Sequence, residues 1–228
     1  MNLIVCGDSW SNGAELNADE QSFGQLLAIQ LQAQLYNQST DASSIPHLII
    51  QLQKAVKLCD LSQPTSALFF LTAPDRDLIW SDSLPKGTGF IKTHPLPHSK
   101  AEEIFLNPSD PLHEHWYRTY HSDQLSNFRC NTSLITLQSM CKHLGIQDHY
   151  VWGWEKFDLW PQVDRCKFYN NGETRIFDFF TNDSSISPNP EFNASCKYIW
   201  PNGGHPNQLG HQLIADMLYP WIKNVYRI

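Results

Sequence analysis

The chain has 228 residues, 41% hydrophobic and 12% aromatic, enough to bury a sizeable core, and a single domain over residues 1–228 is expected. A formal net charge of −7 argues against a nucleic-acid partner, which needs a clustered basic face. No stretch approaches the roughly 18 consecutive apolar residues of a membrane span, and no run of like charges stands out.

In chain order, Leu3 to Cys6 is a short apolar run ended by Gly7, the pattern of a buried parallel strand. With no basic n-region and no small-residue cleavage site, this start reads as the first strand and not as a signal peptide. A cytoplasmic location is expected. The six cysteines are scattered without C-x-x-C spacing. They are expected to be reduced, with a disulfide set as the alternative. From Gln21 to Leu35 the residues Phe23, Leu26, Leu27, Leu31 and Leu35 recur at helical spacing, and Leu35 to Asn37 reads as a brief strand. Ile45, Leu48, Ile49, Leu52, Val56 and Leu58 predict a second helix with Pro46 in its first turn. Ala67 to Leu71 is the clearest buried strand.

Residues 81–123 break this alternation with five prolines (Pro85, Pro95, Pro97, Pro108, Pro111) and Gly87 and Gly89. They predict an irregular insertion of the kind that forms lids or mobile loops, with a short helix near Ala101 to Phe105. Helical spacing returns from Asp123 to Leu144, Tyr150 to Trp154 reads as the next strand, and Pro206 to Trp221 as a last helix. Residues 155–200 carry no assignable pattern. Strands alternating with helices imply a mostly parallel sheet in an α/β fold.

Two segments carry residue types suited to catalysis. Gly7-Asp8-Ser9-Trp10-Ser11-Asn12-Gly13 lies where a strand gives way to a helix, the end of a parallel sheet at which ligands bind. A serine there is exposed, and N–H groups of the turn can face a developing oxyanion. Asn202 to His211 opens the last helix, with His205 fixed before Pro206. A serine hydroxyl needs a neighbouring base, and histidine has the pKa for that task. Taken singly, each has a plainer reading: Gly-Asp-Ser is also a common turn, and a His-Pro pair a common loop. His211 reads as structural. His113, His115 and His121 beside Glu114 have no recognised metal-ligand spacing and read as a solvated loop. Trp116, Trp152, Trp154, Trp160 and Trp200 read as core or loop anchors, with an apolar or sugar-binding cleft as the alternative.

Taken together, Gly-Asp-Ser after the first strand and His-Pro-x-x-x-Gly-His near the C-terminus resemble the SGNH (GDSL-type) hydrolase family. Gly7-Asp8-Ser9-Trp10-Ser11-Asn12-Gly13-Ala14-Glu15-Leu16 is similar to the Gly-Asp-Ser-Trp-x-x-Gly-x-Glu-Leu opening of a subgroup common in phage and bacterial genomes. Phe23 with Leu26-Leu27-Ala28 and Leu31 matches its following helix. Asn37-Gln38-Ser39 with Ser43-Ser44-Ile45 resembles a second block, and Leu71 to Arg76 a third. The likeness covers roughly residues 1–80 and 198–220.

The resemblance implies a three-layer α/β/α, flavodoxin-like fold with a mostly parallel sheet. It implies Ser9 as nucleophile, His205 as base, and an oxyanion hole built on a glycine and an asparagine. Three departures follow. The aspartate usually three residues before the histidine is Asn202, which can hold the ring but supplies no charge; the corresponding change in a serine protease costs on the order of 10⁴ in kcat. The glycine aligns with Ala42, which keeps the backbone donor. The asparagine has no counterpart after the Ala67 to Leu71 strand, where Thr72 or Arg76 is the substitute donor; loss of one such donor costs about 10²–10³ in rate. Arg76 also reads as an ordinary ion pair with Asp75 or Asp77.

The expected function is therefore hydrolysis of small O-acyl esters, such as acetyl groups on a carbohydrate, with no cofactor and no metal. Ser9, His205 and Asn202 are the catalytic set; the N–H groups of Ser9 and Ala42, with Thr72, form the oxyanion hole. Asp8, Trp10 and Arg76 are candidate substrate contacts. The alternative is an SGNH-fold protein that binds a ligand without turning it over.

Overall fold

The structure, a computed structural model, describes residues 1–41, 43–74, 76, 78–79, 91–92, 122–181, 197–199 and 204–226. Four strands, β1 (Asn2–Cys6), β2 (Gln34–Asn37), β3 (Thr65–Leu71) and, further along the chain, β6 (Gln147–Trp152), form one parallel sheet in the order β2-β1-β3-β6. All five residues of β1 and all seven of β3 are buried. That explains their near-continuous apolar sequences, since a parallel strand covered on both faces has no solvent side to alternate with. A separate pair, β4 (Leu78–Ile79) and β5 (Ile91–Lys92), is antiparallel.

The two faces of the sheet separate by the period of two expected of a strand. Ile4 and Cys6 of β1, with Ala67, Phe69 and Leu71 of β3, pack with α3 (His47–Leu58) and α4 (Asp123–Leu144) through Leu48, Leu52, Leu134 and Leu137. Leu3, Val5, Leu68 and Phe70 pack instead with α2 (Phe23–Leu31), α5 (Ile176–Thr181) and α6 (Gln208–Tyr226). The result is the expected three-layer α/β/α arrangement.

Local chemistry sets the element ends. Ser22 and Gln25 form a capping box at the start of α2. The helix stops earlier than its Leu35 spacing suggests, because Gln32 turns left-handed (φ 53°) and Leu35 joins β2. Ser122 caps α4, which ends on Gly145 with φ 68°. Strand β6 starts at Gln147, ahead of the expected Tyr150, and stops at Trp152. The next residue, Gly153, turns its N–H onto Leu71 O at 2.9 Å and lies against the Phe70 ring, where a Cβ would not fit. Residues 155–181, unassigned from sequence, form short turns and α5, and they meet β6 through parallel bridges Tyr150–Phe168 and Trp152–Arg175. The expected short helix near Ala101 to Phe105 lies outside the described residues, as does most of the 81–123 insertion. The five described cysteines are free thiols, and no helix among the described residues is long and apolar enough to cross a membrane.

Two buried histidines couple this fold to pH. His149 in β6 sits edge-on to Trp221 with ring centroids 4.9 Å apart, and its Nε2 lies 3.3 Å from Ser66 Oγ. Burial, aided by nearby Lys167, pushes its pKa down to about 4. Burial, aided by His205, does the same for His211 in α6, to about 4. Both rings are neutral in the native state, whereas an unfolded chain binds their protons near pH 6.5. The stabilisation is complete above that pH and is lost as pH falls towards 4, at about 3 kcal/mol per ring. Urea unfolding between pH 7.5 and 4.5 should therefore show a falling midpoint, and H149Q should flatten the slope. An unchanged slope in H149Q would contradict the assignment for that ring.

Candidate active site

The site lies at the carboxyl end of β1. Asp8 takes extended backbone angles and caps α1 (Ser9–Asn12), with its Oδ1 accepting from Trp10 N at 3.1 Å. Gly13, at φ 81°, ends that single turn. Ser9 is thus the first helical residue, where the backbone N–H has no partner within the helix.

Four contacts hold the turn. Gln51 of α3 spans the Gly7 backbone, accepting from Gly7 N at 2.8 Å and donating to Gly7 O at 2.9 Å. Its amide also donates to Ser43 Oγ at 2.9 Å, which lies 2.9 Å from His47 Nδ1. All three side chains are buried. Gly7 must lack a side chain, because a Cβ there would collide with Ser11 and come within 3.0 Å of Phe70 Cβ. Second, Arg76 Nη1 donates to Asp8 Oδ2 at 3.0 Å, linking the segment after β3 to the Ser9 turn. Third, Trp10 is buried against Trp154, Phe180 and Phe70, with centroids 4.5, 5.4 and 6.1 Å away. Fourth, Asn37 Nδ2 donates to Ser11 O at 3.0 Å.

His205 arrives from the far end of the chain. Gly204 turns at φ 71°, a left-handed angle that glycine adopts without cost. Pro206 bridges to Ile199, and Asn207 Oδ1 accepts from Gly210 N at 3.1 Å to cap α6. Two bonds then dock α6 on the entry to α2: Gln21 N donates to Gln208 Oε1 at 2.7 Å, and Phe23 N to His211 Nδ1 at 3.1 Å. His211 therefore has the structural role expected of it. With the helix so placed, His205 Nε2 lies 3.0 Å from Ser9 Oγ across 196 positions of sequence.

The far nitrogen of His205, Nδ1, lies 3.3 Å from Glu15 Oε1. The two are within ion-pair reach but are not aligned as a hydrogen bond, and Nδ1 is buried with no hydrogen-bond partner among the described residues. Glu15 itself has φ 69°. For a residue with a Cβ that conformation costs of order 1–3 kcal/mol.

The structure brings Ser9 and His205 together, and Asp8 and Arg76 together. Asp8 and Trp10 are buried, and Arg76 pairs with Asp8, while Asp75 and Asp77 lie outside the described residues. Thr72, just past β3, is buried, and its hydroxyl has no hydrogen-bond partner among the described residues. Asn202 and Ala42 lie outside the described residues, as do His113, Glu114, His115, His121, Trp116 and Trp200. Trp152 is core, and Trp160 packs edge-on to Phe128. No group of three or more potential metal ligands occurs among the described residues. An open cavity of about 320 Å³ lies elsewhere, at the start of β6 between Lys142, Asp148, Lys167 and Trp221.

Sequence reasoning missed Glu15 and Gln51. Both left a signal. Position 51 is three after Leu48 and four before Ala55, so it places an amide on the core face of α3. Glu15 stands within the very opening that carried the family resemblance.

No family model and no curated protein matches this sequence. Among solved structures the chain is similar to TesA, with a TM-score of 0.53 at 12% identity over 98% of this chain and 99% of that one. It is similar also to the acetyl xylan esterase AlAXEase, with a TM-score of 0.52 at 12% identity over 97% and 100%. A third is the acetyl xylan esterase Est2A from the rumen bacterium Butyrivibrio proteoclasticus, with a TM-score of 0.50 at 12% identity over 99% of this chain and 64% of that one. At such identities the likeness is one of architecture. The chain has the three-layer fold of the SGNH/GDSL hydrolases.

Because Gln51 holds both polar groups of Gly7, Q51L should cost about 1–3 kcal/mol in unfolding free energy by stranding a buried N–H. Chemical denaturation of the purified variant measures it, and a change below about 0.5 kcal/mol would mean that the clamp is dispensable.

Proposed function

We propose that the protein is a serine esterase that cleaves small O-acyl esters, such as acetyl groups on a carbohydrate. The observation that carries this reading is the 3.0 Å approach of Ser9 Oγ to His205 Nε2 at the carboxyl end of a parallel sheet. It is the separation at which a histidine can take a hydroxyl proton, and in open α/β sheets that edge is where ligands bind. Acetyl xylan esterases with the same architecture support the acyl class.

In this mechanism Ser9 Oγ attacks the acyl carbon as its proton passes to His205 Nε2. The carbonyl oxygen becomes an oxyanion held by the N–H groups of Ser9 and Ala42, with the Thr72 hydroxyl as a further donor. That hydroxyl is buried and has no hydrogen-bond partner among the described residues, which supports such a role. His205 then gives its proton to the departing alcohol. Water, activated by the same ring, attacks the acyl-enzyme, releasing the acid and restoring Ser9. No cofactor enters these steps. Asn202, three residues before His205, would help to hold the ring without supplying charge.

The test is direct. The purified protein should hydrolyse p-nitrophenyl acetate and react with a fluorophosphonate probe at Ser9. S9A and H205A should each lower kcat by about 10⁴-fold or more. A folded wild-type protein that stays unlabelled by the probe, or an S9A variant as active as wild type, would overturn the proposal. The first outcome would favour a protein that binds its ligand without turning it over.

A further inference from the structure

We propose that Glu15 is the positioning carboxylate of His205, performing from the nucleophile's own loop the task that an aspartate three residues before the histidine usually performs. The inference rests on the Ser9–His205 reading and extends it.

If Nε2 is to accept the Ser9 proton, the resting ring must carry its own proton on Nδ1. A group at Nδ1 therefore selects the tautomer, and a charged one also stabilises the imidazolium formed during attack. Position 202 offers an amide, which provides no charge. Glu15 Oε1 is 3.3 Å from Nδ1, and no hydrogen bond to that buried nitrogen forms among the described residues. The Glu15 side chain is 39% exposed, so rotation within its own loop can bring the carboxylate into line. Hydrogen bonds of catalytic groups are often long or poorly aligned until substrate binds.

The backbone supplies an independent observation. Glu15 is one of four non-glycine residues with positive φ among the described residues. Gln32 closes a helix, and Asn170 and Asn171 are of a type that tolerates the left-handed region. Glutamate has no such tolerance, and glycine would suit the turn better. A loop shaped only for stability has no reason to hold a glutamate there; a loop that must deliver a carboxylate to Nδ1 does. The placement also joins nucleophile and positioning residue in one short segment, Ser9 to Glu15, so that His205 is the single member brought from elsewhere in the chain.

The variants E15Q and E15G test this, with two readouts. In ester hydrolysis each should lower kcat by about 10²–10⁴-fold while KM stays within about threefold. E15G should keep or raise Tm, because it relieves the left-handed strain. Independently of turnover, ¹⁵N-edited NMR of the histidine side chains should find wild-type His205 protonated at Nδ1, with a downfield Nδ1–H proton. In both variants that resonance should shift or disappear. The proposal is overturned if the His205 tautomer and its Nδ1–H resonance are the same in wild type and in both variants. It is overturned too if both variants keep wild-type kcat in an active enzyme. A wild-type protein that shows the resonance, loses it in E15G, and still hydrolyses no ester would sustain the positioning role while refuting the esterase reading.

Discussion

The candidate site depends on the docking of the first turn of α6 onto the entry of α2. Ser9 and His205 sit near opposite ends of the chain, and no local preference brings them together. The bonds from Gln21 N to Gln208 Oε1 and from Phe23 N to His211 Nδ1 do so. They satisfy N–H groups at the start of α2, which no bond inside that helix can satisfy. His211 can accept at Nδ1 only while its ring is unprotonated there, and burial keeps it neutral. The helix that carries this contact also buries Ile214, Ala215, Leu218 and Ile222 against the sheet. Hydrophobic burial thus supplies the energy of docking, and the two polar bonds supply its register.

The turn that carries Ser9 is held in the same manner, by polar groups placed inside an apolar layer. Gln51 answers both polar groups of Gly7, and Arg76 meets the buried carboxylate of Asp8. Such pairs add little net stability against an apolar replacement, but losing one partner strands the other in a medium that cannot solvate it. Their effect is therefore to restrict the turn to one geometry. Trp10, next to the serine, fills the cluster with Trp154, Phe177 and Phe180 and anchors the turn from the other side.

Much of the fold was legible from residue pattern. The apolar runs at Leu3 to Cys6 and Ala67 to Leu71 are strands because a doubly covered parallel sheet demands them. The spacing over Asp123 to Leu144 describes α4 to the residue. The end of α2 was not legible, since Leu35 fits a helical stripe and a strand equally well and the pairing with β1 decides between them. Residues 155–181 gave no pattern because their order comes from packing against β6 and not from a repeating face. In the site, Ser9 and His205 were legible by residue type and by resemblance. The contact of Arg76 with Asp8 was not legible, because it forms only where adjacent strands β1 and β3 bring their following loops together.

By itself the sequence determined the alternation of strands and helices, the two segments able to carry catalysis, and the absence of an aspartate at position 202. These are properties of neighbours along the chain, set by backbone preference and by periods of two and 3.6 residues. Tertiary structure alone decided that Ser9 Oγ and His205 Nε2 stand 3.0 Å apart, and that the carboxylate at the far nitrogen is Glu15. Such distances join residues far apart in sequence. They are fixed only when the layers close over the sheet and most buried polar groups are drawn to partners within reach.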